Sequence, residues 1–320
     1  MAAAGDAVAQ DIHFSQPDIN PILYNPAYSG FFDGSGRFAL TYRNQWAAVA
    51  QPFQTMAASA EYAVMRRRYE RDGISAGLTV FNDRAGTLRY GTTAASLIMS
   101  YYKSLNRFNN NFLSFGLSGC FAQSGYDAAD ADLLDRTEVL QNAGKNYLLI
   151  GIGAAWYYHP HDFLEIKIAA SGNNLNRPNI SYTAVGETDE CKGYVEPRFN
   201  LYSRIDYRFG GYWSIEPLLA LQLQRNNSEL VAGADFKWHL SEFTDNNLTL
   251  SAGVASRIGD ALLFSLSTEW TTMLVAFTYD HTISDLREAS LGVGAFEVSV
   301  VYRLSKKELY QRKALPCPII

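Results

Sequence analysis

Hydrophobic and polar residues alternate along most of the chain, in short segments that are separated by turn signals. In residues 36–46, for example, Phe38, Leu40 and Tyr42 alternate with smaller or polar residues. A period of two residues is typical of a β-strand whose two faces meet different surroundings. The chain contains fourteen such segments, at residues 36–46, 53–65, 73–82, 88–102, 111–122, 146–158, 162–171, 194–208, 211–225, 228–239, 246–257, 260–270, 271–280 and 290–303.

The two faces of these segments suit a wall between lipid and water. One face carries large apolar side chains, and the other carries small or polar ones, as expected for the outside and the lumen of a membrane barrel. No apolar run reaches the length of about 18 residues that a transmembrane helix needs. We therefore predict an all-β fold, a transmembrane antiparallel β-barrel of the outer membrane with about 14 strands. The alternation changes phase in the last segment, which predicts a β-bulge near Gly294.

The connections between segments fall into two unequal sets. If both chain ends are periplasmic, the outward connections include the three long ones, 123–145, 172–193 and 281–289, and the inward connections are mostly short turns. Short inner turns and long outer loops are typical of outer-membrane barrels. We therefore predict that both termini are periplasmic.

The first ten residues look like the end of a signal peptide. Ala7-Val8-Ala9-Gln10 is an A-x-A cleavage pattern, but the basic and apolar regions of a signal peptide are missing. We interpret this as a truncated signal peptide, and a leaderless start is the alternative. The predicted organisation is a residual signal-peptide region 1–9, an ordered N-terminal segment 10–35 at or inside the periplasmic mouth, a barrel 36–303 and a periplasmic tail 304–320.

Composition agrees with a membrane-embedded wall. Charged residues make up 18% of the chain and aromatic residues 13%, whereas a soluble domain is about 25% charged. An aromatic-rich soluble β-protein is the alternative, and the regular spacing of turns weighs against it. The net charge of −5 argues against nucleic acid as a partner. Cys120, Cys191 and Cys317 are an odd number, on a predicted strand, an outer loop and the tail, so we predict no structural disulfide.

Several polar residues are predicted to stabilise the inside of the barrel. Arg43 shares the lumen face of its segment, and Asn82 and Asp83 lie at the end of the third segment. A pair between Arg43 and Asp83 would be charge-assisted and would fix the lumen wall; separate solvated charges are the alternative. Glu165 and Lys167 share one strand face, and we expect them to pair in the lumen.

Positive charge is concentrated on the predicted periplasmic side. The basic residues in the turn after the second segment and in the tail are Arg66, Arg67, Arg68, Arg71, Lys306, Lys307, Arg312 and Lys313. They form a candidate docking surface for acidic periplasmic partners or anionic lipid headgroups, and solvated turn charges are the alternative. The outward connection 123–145 is acidic, but it lacks the ligand spacing of a calcium-binding loop.

The sequence contains no catalytic constellation that we can identify. His159 and His161 lack an adjacent third ligand for a metal. Gly151-x-Gly153 lies inside a strand with no following helix, so it does not form a phosphate-binding loop. Gly73-Ile74-Ser75-Ala76-Gly77 has the spacing Gly-x-Ser-x-Gly, but it lies inside a predicted strand and is therefore not a nucleophile elbow. We predict no enzymatic activity, no cofactor and no metal site.

Four sets of residues resemble the PorP/SprF family of the type IX secretion system in Bacteroidota. They are Phe14-Ser15-Gln16 with Asn25-Pro26-Ala27-Tyr28-Ser29-Gly30; Arg43-Asn44-Gln45-Trp46; Phe81-Asn82-Asp83 with Gly86; and Tyr279-Asp280-His281 with Gly294–Glu297 and Cys317-Pro318. The final Ile319-Ile320 departs from the family pattern. In the N-terminal motif, Phe14, Asn25, Pro26, Ala27 and Gly30 are the candidate functional residues. Turn chemistry there predicts a plug or docking segment, or a tucked terminus that closes the barrel floor.

The resemblance implies a non-enzymatic outer-membrane component of the type IX secretion and gliding machinery. It implies partners among periplasmic ring subunits and a peptidoglycan-linked adaptor lipoprotein, or a large surface adhesin. Outer-membrane lipid and lipopolysaccharide would surround the barrel. The barrel alone also allows a channel or transporter for a small solute, because fourteen strands leave room for a ligand path unless the lumen is plugged.

Overall fold

A computed structural model describes residues 14–32, 34–46, 52–66, 72–85, 90–108, 110–126, 143–180, 193–240, 248–284 and 287–304. Within these residues, fourteen antiparallel strands form one closed barrel. The strands are β1 Gly36–Gln45, β2 Phe53–Arg66, β3 Asp72–Ala85, β4 Tyr90–Ser104, β5 Asn111–Tyr126, β6 Ala143–His161, β7 Leu164–Asn173, β8 Arg198–Phe209, β9 Trp213–Gln224, β10 Asn227–His239, β11 Leu248–Arg257, β12 Ala261–Trp270, β13 Met273–Thr282 and β14 Val293–Leu304.

Each strand pairs with the next one along the chain, and β1 pairs with β14 from Gly36↔Leu304 to Gln45↔Ala295. The predicted fold class, an antiparallel barrel of the outer-membrane type, is therefore confirmed. The predicted strand positions are also confirmed. One of the larger differences in strand bounds is at β8, which begins at Arg198, four residues after the predicted start at residue 194.

Alternation along the strands separates the lumen from the outside, as predicted. Ala39 and Ala276 face the lumen and are each 1% exposed, whereas Leu40 and Leu266 face outward and are 61% and 63% exposed. Large apolar side chains on the outside are stable only against lipid, because exposing them to water costs free energy in proportion to their area.

The predicted bulge at Gly294 is confirmed. Asp280 pairs with Ala295 and His281 pairs with Val293, so Gly294 has no opposite residue on β13. A Cβ atom on Gly294 would lie 2.7 Å from the backbone oxygen of Asp280. Only glycine fits this close approach without a shift of the neighbouring strand.

The described residues include three short helices, which are the 3₁₀ helices Pro21–Leu23 and Pro26–Tyr28 and the α-helix α1 Arg287–Ser290. No helix in the described part of the chain has the length and hydropathy that crossing a membrane requires. We call the end of the barrel at which β1 begins and β14 ends the proximal end, and the other the distal end. The long connections 127–142 and 174–197 both leave the distal end.

Candidate functional site

The N-terminal segment lies inside the barrel. Residues 14–32 and 34–35, here called the plug, contact the lumen face of strands on both sides of the β1–β14 pair. Ser15 contacts β13 and β14, and the carbonyl of Tyr24 contacts β7 and β8. The carbonyl of Ala27 accepts a hydrogen bond from Ser114 on β5. The plug therefore crosses the lumen and is attached to the wall at several separate points.

Asn25 is the central attachment of the plug. Its side-chain amide donates hydrogen bonds to two strand carbonyls, those of Ala154 at 3.2 Å and Ala170 at 3.0 Å. Its side-chain oxygen accepts a hydrogen bond of 2.8 Å from the backbone N–H of Ala27, which caps the helix Pro26–Tyr28. This is the turn chemistry expected of an Asn-Pro pair, and it joins the plug to β6 and β7.

Two glycines of the wall leave the space in which this helix lies. Gly116 of β5 and Gly153 of β6 are directly paired across the two strands. A Cβ atom on Gly116 would lie 2.3 Å from the carbonyl carbon of Pro26, and one on Gly153 would lie 1.9 Å from the side-chain oxygen of Asn25. The Gly151-x-Gly153 motif is therefore partly explained, because Gly153 accommodates the plug.

The carbonyl and the hydroxyl of Tyr24 are also hydrogen-bonded. The carbonyl of Tyr24 accepts hydrogen bonds from Ser171, Asn173 and Asn200 at 2.7, 2.8 and 3.2 Å. The Tyr24 hydroxyl accepts one from the backbone N–H of Phe14, whose ring is 5% exposed. Burial raises the pKa of the Tyr24 hydroxyl above the ordinary tyrosine value, so this residue stays neutral.

Serines of the wall hold the end of the motif. Ser29 pairs with the hydroxyl of Ser75 at 2.7 Å, and its carbonyl accepts a hydrogen bond from Ser100 at 2.6 Å. Gly30 has φ +87°, a conformation that glycine adopts readily. Its N–H donates to Glu61, which in turn binds Arg37 at 2.7 Å. The structure thus brings the residues of the predicted N-terminal motif together, all against the lumen wall.

Arg43 is buried in the lumen, but its partners differ from the predicted one. The guanidinium contacts Asp280 at 2.8 Å and Glu297 at 3.3 Å, and it donates a hydrogen bond to Ser15 of the plug. These carboxylates lie on β13 and β14, on the opposite side of β1 from the predicted partner Asp83. Barrel closure places Glu297 directly across from Arg43, which the order of segments in the chain did not reveal.

Asn82 and Asp83 lie on opposite faces of β3. Asp83 accepts a hydrogen bond of 2.6 Å from Thr55 on the neighbouring strand. Asn82 donates to Thr93 at 2.6 Å and shares its face with the outward-facing Val80. The assignment of Asn82 to the lumen is therefore wrong, because consecutive residues of a strand point to opposite faces.

A second ion cluster connects the plug to β8, β9 and β10. Arg204 contacts Asp18 of the plug and Glu216, and it lies 2.5 Å from Asp235. Lys237 contacts Glu216 at 2.5 Å. Sequence reasoning missed this cluster, although the parity of β8–β10 would have assigned its wall residues to the lumen.

Glu165 and Lys167 form the lumen pair that the sequence predicted. Their charged atoms are 2.6 Å apart, and the hydroxyl of Tyr157 donates a hydrogen bond of 2.7 Å to Glu165. Both residues are part of the wall of a cavity at the proximal end.

This cavity, here called the vestibule, has a volume of about 990 Å³ and lies between the plug and the wall. Asp72, His159, Glu269 and Arg303 line it at the proximal rim, and it reaches inward as far as Ser15. Among the described residues, no group of three or more His, Cys, Asp or Glu is placed to hold a metal ion.

Most of the predicted docking surface lies outside the described residues. The docking residues outside the described ranges are Arg67, Arg68, Arg71, Lys306, Lys307, Arg312 and Lys313. Residues 1–13, Cys191 and Cys317 also lie outside these ranges. Arg66 ends β2 at the proximal end, and β14 ends there at Leu304. Both basic segments therefore begin at the rim of the vestibule.

Comparison with known proteins gives one family. The sequence profile described as "Type IX secretion system membrane protein PorP/SprF" matches residues 7–302. No curated protein sequence matches the chain.

Solved structures of similar shape share little sequence with the chain. A Pseudomonas aeruginosa FadL homologue is 11% identical, with 87% of this chain and 92% of that chain covered and a TM-score of 0.48. The CymD monoaromatic hydrocarbon channel is 9% identical, with 90% and 93% covered and a TM-score of 0.49. The Ralstonia pickettii toluene transporter TbuX is 12% identical, with 88% and 93% covered and a TM-score of 0.47.

Proposed function

Because the chain belongs to the PorP/SprF family of type IX secretion system membrane proteins, we propose that it is a non-enzymatic anchor in the outer membrane. It links the membrane to periplasmic ring subunits and an adaptor lipoprotein, or it holds a secreted surface adhesin. Family membership confirms the resemblance that the four sets of motif residues indicated.

The observation that best supports an anchoring role is the plug. The lumen contains a segment of the chain itself, which is fixed by the hydrogen bonds of Asn25 and by the ion cluster of Arg43. A barrel of this size provides a path for solutes only where its lumen is left free. A plug that is attached by several buried hydrogen bonds and ion pairs favours a fixed scaffold over a conduit.

We assign the docking surface to the proximal end, which we orient toward the periplasm. Long connections leave the distal end, and outer-membrane barrels place their long loops outside the cell. The proposed contact residues are Arg66, Arg67, Arg68, Arg71, Lys306, Lys307, Arg312 and Lys313. Their positive charge would attract acidic periplasmic proteins before contact is made.

Purification from the native outer membrane in a gentle detergent tests the anchoring role. We expect mass spectrometry to identify ring subunits, an adaptor lipoprotein or a large adhesin in the purified complex. Replacing Arg66, Arg67, Arg68 and Arg71 by Gln should reduce this recovery while the barrel remains folded. A matched control replaces Arg84, Arg177 and Arg225 by Gln at the distal end. Equal recovery from both variants would refute the docking surface, and a barrel purified alone would refute the anchoring role.

A solute channel is the second candidate, and the vestibule is the observation that favours it. A cavity of about 990 Å³ reaches from the proximal rim to Ser15, so part of the lumen is open to solvent. Planar-bilayer recordings separate the two candidates. The anchoring role predicts no steady conductance for the native chain, whereas a steady conductance would support the channel.

A further inference from the structure

The vestibule contains an aromatic surface that the barrel itself does not require. Phe31, Tyr102, Phe112 and Tyr157 form a closed set of four rings, with successive centroid distances of 5.7, 6.5, 6.1 and 5.9 Å. All four are half-buried and line the cavity. The lumen face of an outer-membrane barrel is normally polar, and an apolar surface that faces water is stabilised when a ligand covers it.

The wall of the vestibule is charged beside the four rings, since Tyr157 of β6 pairs with Lys167 of β7, which pairs with Arg204 of β8. On β8–β10 this wall has more carboxylates than cations in direct contact. Asp18, Glu216 and Asp235 share the two cations Arg204 and Lys237. The Asp18 side chain is 32% exposed, so one carboxylate of the cluster is accessible from the cavity. A further basic group would therefore be attracted to this wall, because an additional cation would balance the third carboxylate.

The size and position of the vestibule restrict the kind of ligand. A volume of about 990 Å³ is at the upper end of the range of roughly 300–1,000 Å³ found for small-ligand sites. A folded domain does not fit in this space, whereas a short extended segment does. The rim at Asp72, Glu269 and Arg303 is the same end at which both basic segments of the proposed docking surface begin.

We propose that the vestibule binds one extended peptide segment of a periplasmic partner protein. A large apolar side chain of that segment packs on the four rings, and a Lys or Arg beside it contacts Asp18 and Asp235. Aromatic anchors combined with a charged contact are typical of peptide recognition. This inference rests on the proposed function, and it adds the chemistry of the contact that the partner makes.

Site-specific photo-crosslinking in cells that carry the type IX system tests the proposal. Phe112 is replaced by p-benzoylphenylalanine, and the control carries the same group at Phe115, which is on the same strand, faces outward and is 56% exposed. We expect an adduct at position 112 that mass spectrometry maps to one continuous segment of a type IX component, with a basic residue beside a large apolar one. The control position should give lipid adducts only.

Other results at position 112 would overturn the proposal. These are an adduct to residues 305–320 of the same chain, an adduct to lipid or to a small solute, and no adduct at all. If the native complex is still recovered in gentle detergent when position 112 gives no partner adduct, the anchoring role stands and the peptide site alone fails.

Two substitutions measure the contribution of each part of the vestibule. Phe112→Ala and Asp235→Asn should each lower recovery of the crosslinked or copurified partner by at least about tenfold, as truncation of a central interface residue does. The control Phe115→Ala should stay within about twofold, because its side chain faces lipid. The electrophoretic shift between heated and unheated barrel verifies folding of each variant. Folded variants with unchanged recovery would contradict the proposal.

Discussion

Gly116→Ala is the sharpest perturbation of the plug that the structure offers. The added Cβ atom would lie 2.3 Å from the carbonyl carbon of Pro26 and 2.4 Å from the backbone nitrogen of Ala27. Ordinary contact begins at 3.4 Å, so the plug must retreat by 3.4 − 2.3 = 1.1 Å. The atoms in contact belong to the backbone of a capped helix, so no flexible side chain can move aside. Gly119→Ala on the same strand is the control, because a Cβ atom there meets nothing within 4 Å.

The size of the effect follows from the bonds that a retreat of this distance breaks. Two hydrogen bonds from Asn25 to strand carbonyls, at 3.2 and 3.0 Å, and one from Ser114 to Ala27, at 2.8 Å, would exceed the normal length. Each such bond contributes about 0.5–1.5 kcal/mol, which gives roughly 3 kcal/mol for the three. The equilibrium between the seated and the released plug should therefore shift by about a hundredfold.

Hydrogen exchange of the plug amides measures this equilibrium directly. The N–H groups of Ala27, Tyr28 and Ser29 are hydrogen-bonded within the plug, so they exchange mainly when it opens. We expect exchange about a hundredfold faster in Gly116→Ala and unchanged exchange in Gly119→Ala, in the same detergent and at the same pH. Identical exchange in the native chain and in both variants would show that the plug is not seated on β5, and the reasoning would fail.

Four further substitutions test separate contacts. Asn25→Ala removes both hydrogen bonds to strand carbonyls, so it should speed exchange of the same amides at least about tenfold; an unchanged rate would contradict the anchoring of the plug by Asn25. Arg43→Met leaves buried Glu297 without its cation and leaves Asp280 with only the 3.4 Å contact to Arg257, so it should lower the free energy of unfolding in vesicles by about 3–5 kcal/mol. Arg303→Gln, which breaks a partly exposed pair, should cost less than about 1 kcal/mol in the same assay. Gly294→Ala should destabilise by about 1–3 kcal/mol through contact with the carbonyl of Asp280, and a neutral effect would argue against the bulge.

The strands and their faces were predictable because their signals are local. A period of two residues and the turn residues between segments are properties of short stretches of sequence. Even the bulge at Gly294 was visible as a change of phase in one segment. The same rule should have excluded Asn82 from the lumen, since it is adjacent to Asp83 on one strand.

The contacts of the plug were not predictable in this way, because they join residues that are distant in the chain. Arg43 and Glu297 are 254 residues apart, and Asn25 is 145 residues from Ala170. Periodicity assigns Arg43, Glu297 and Ala170 to strand faces, but it does not say which residues meet across the lumen. The sequence likewise identified Gly116 and Gly153 only as small residues on the lumen face. It did not show that the plug packs against them, because the plug is distant from both in the chain.

The plug and the closure of the barrel stabilise each other. The Arg43 cluster contains residues of β1, β13 and β14, and Ser15 of the plug binds both of its carboxylates at 2.7 and 2.9 Å. At the other end of the same β1–β14 pair, the N–H of Ser35 donates to the carbonyl of Leu304 at 2.8 Å. Without the plug, Asp280 and Glu297 lose the hydrogen bonds that Ser15 donates. These carboxylates lie at the β1–β14 pair, which joins the first and the last strand of the described barrel.

This coupling makes a specific prediction about deletion of residues 14–30. If the plug were an independent lid, its removal would leave a stable and open barrel. Because it contributes to the β1–β14 pair, we expect less folded barrel in the outer membrane and a lower unfolding temperature for the part that folds. Yield, the heat-dependent electrophoretic shift and bilayer conductance should be measured on one preparation. Full yield of a thermally stable, conducting barrel would show that closure does not depend on the plug.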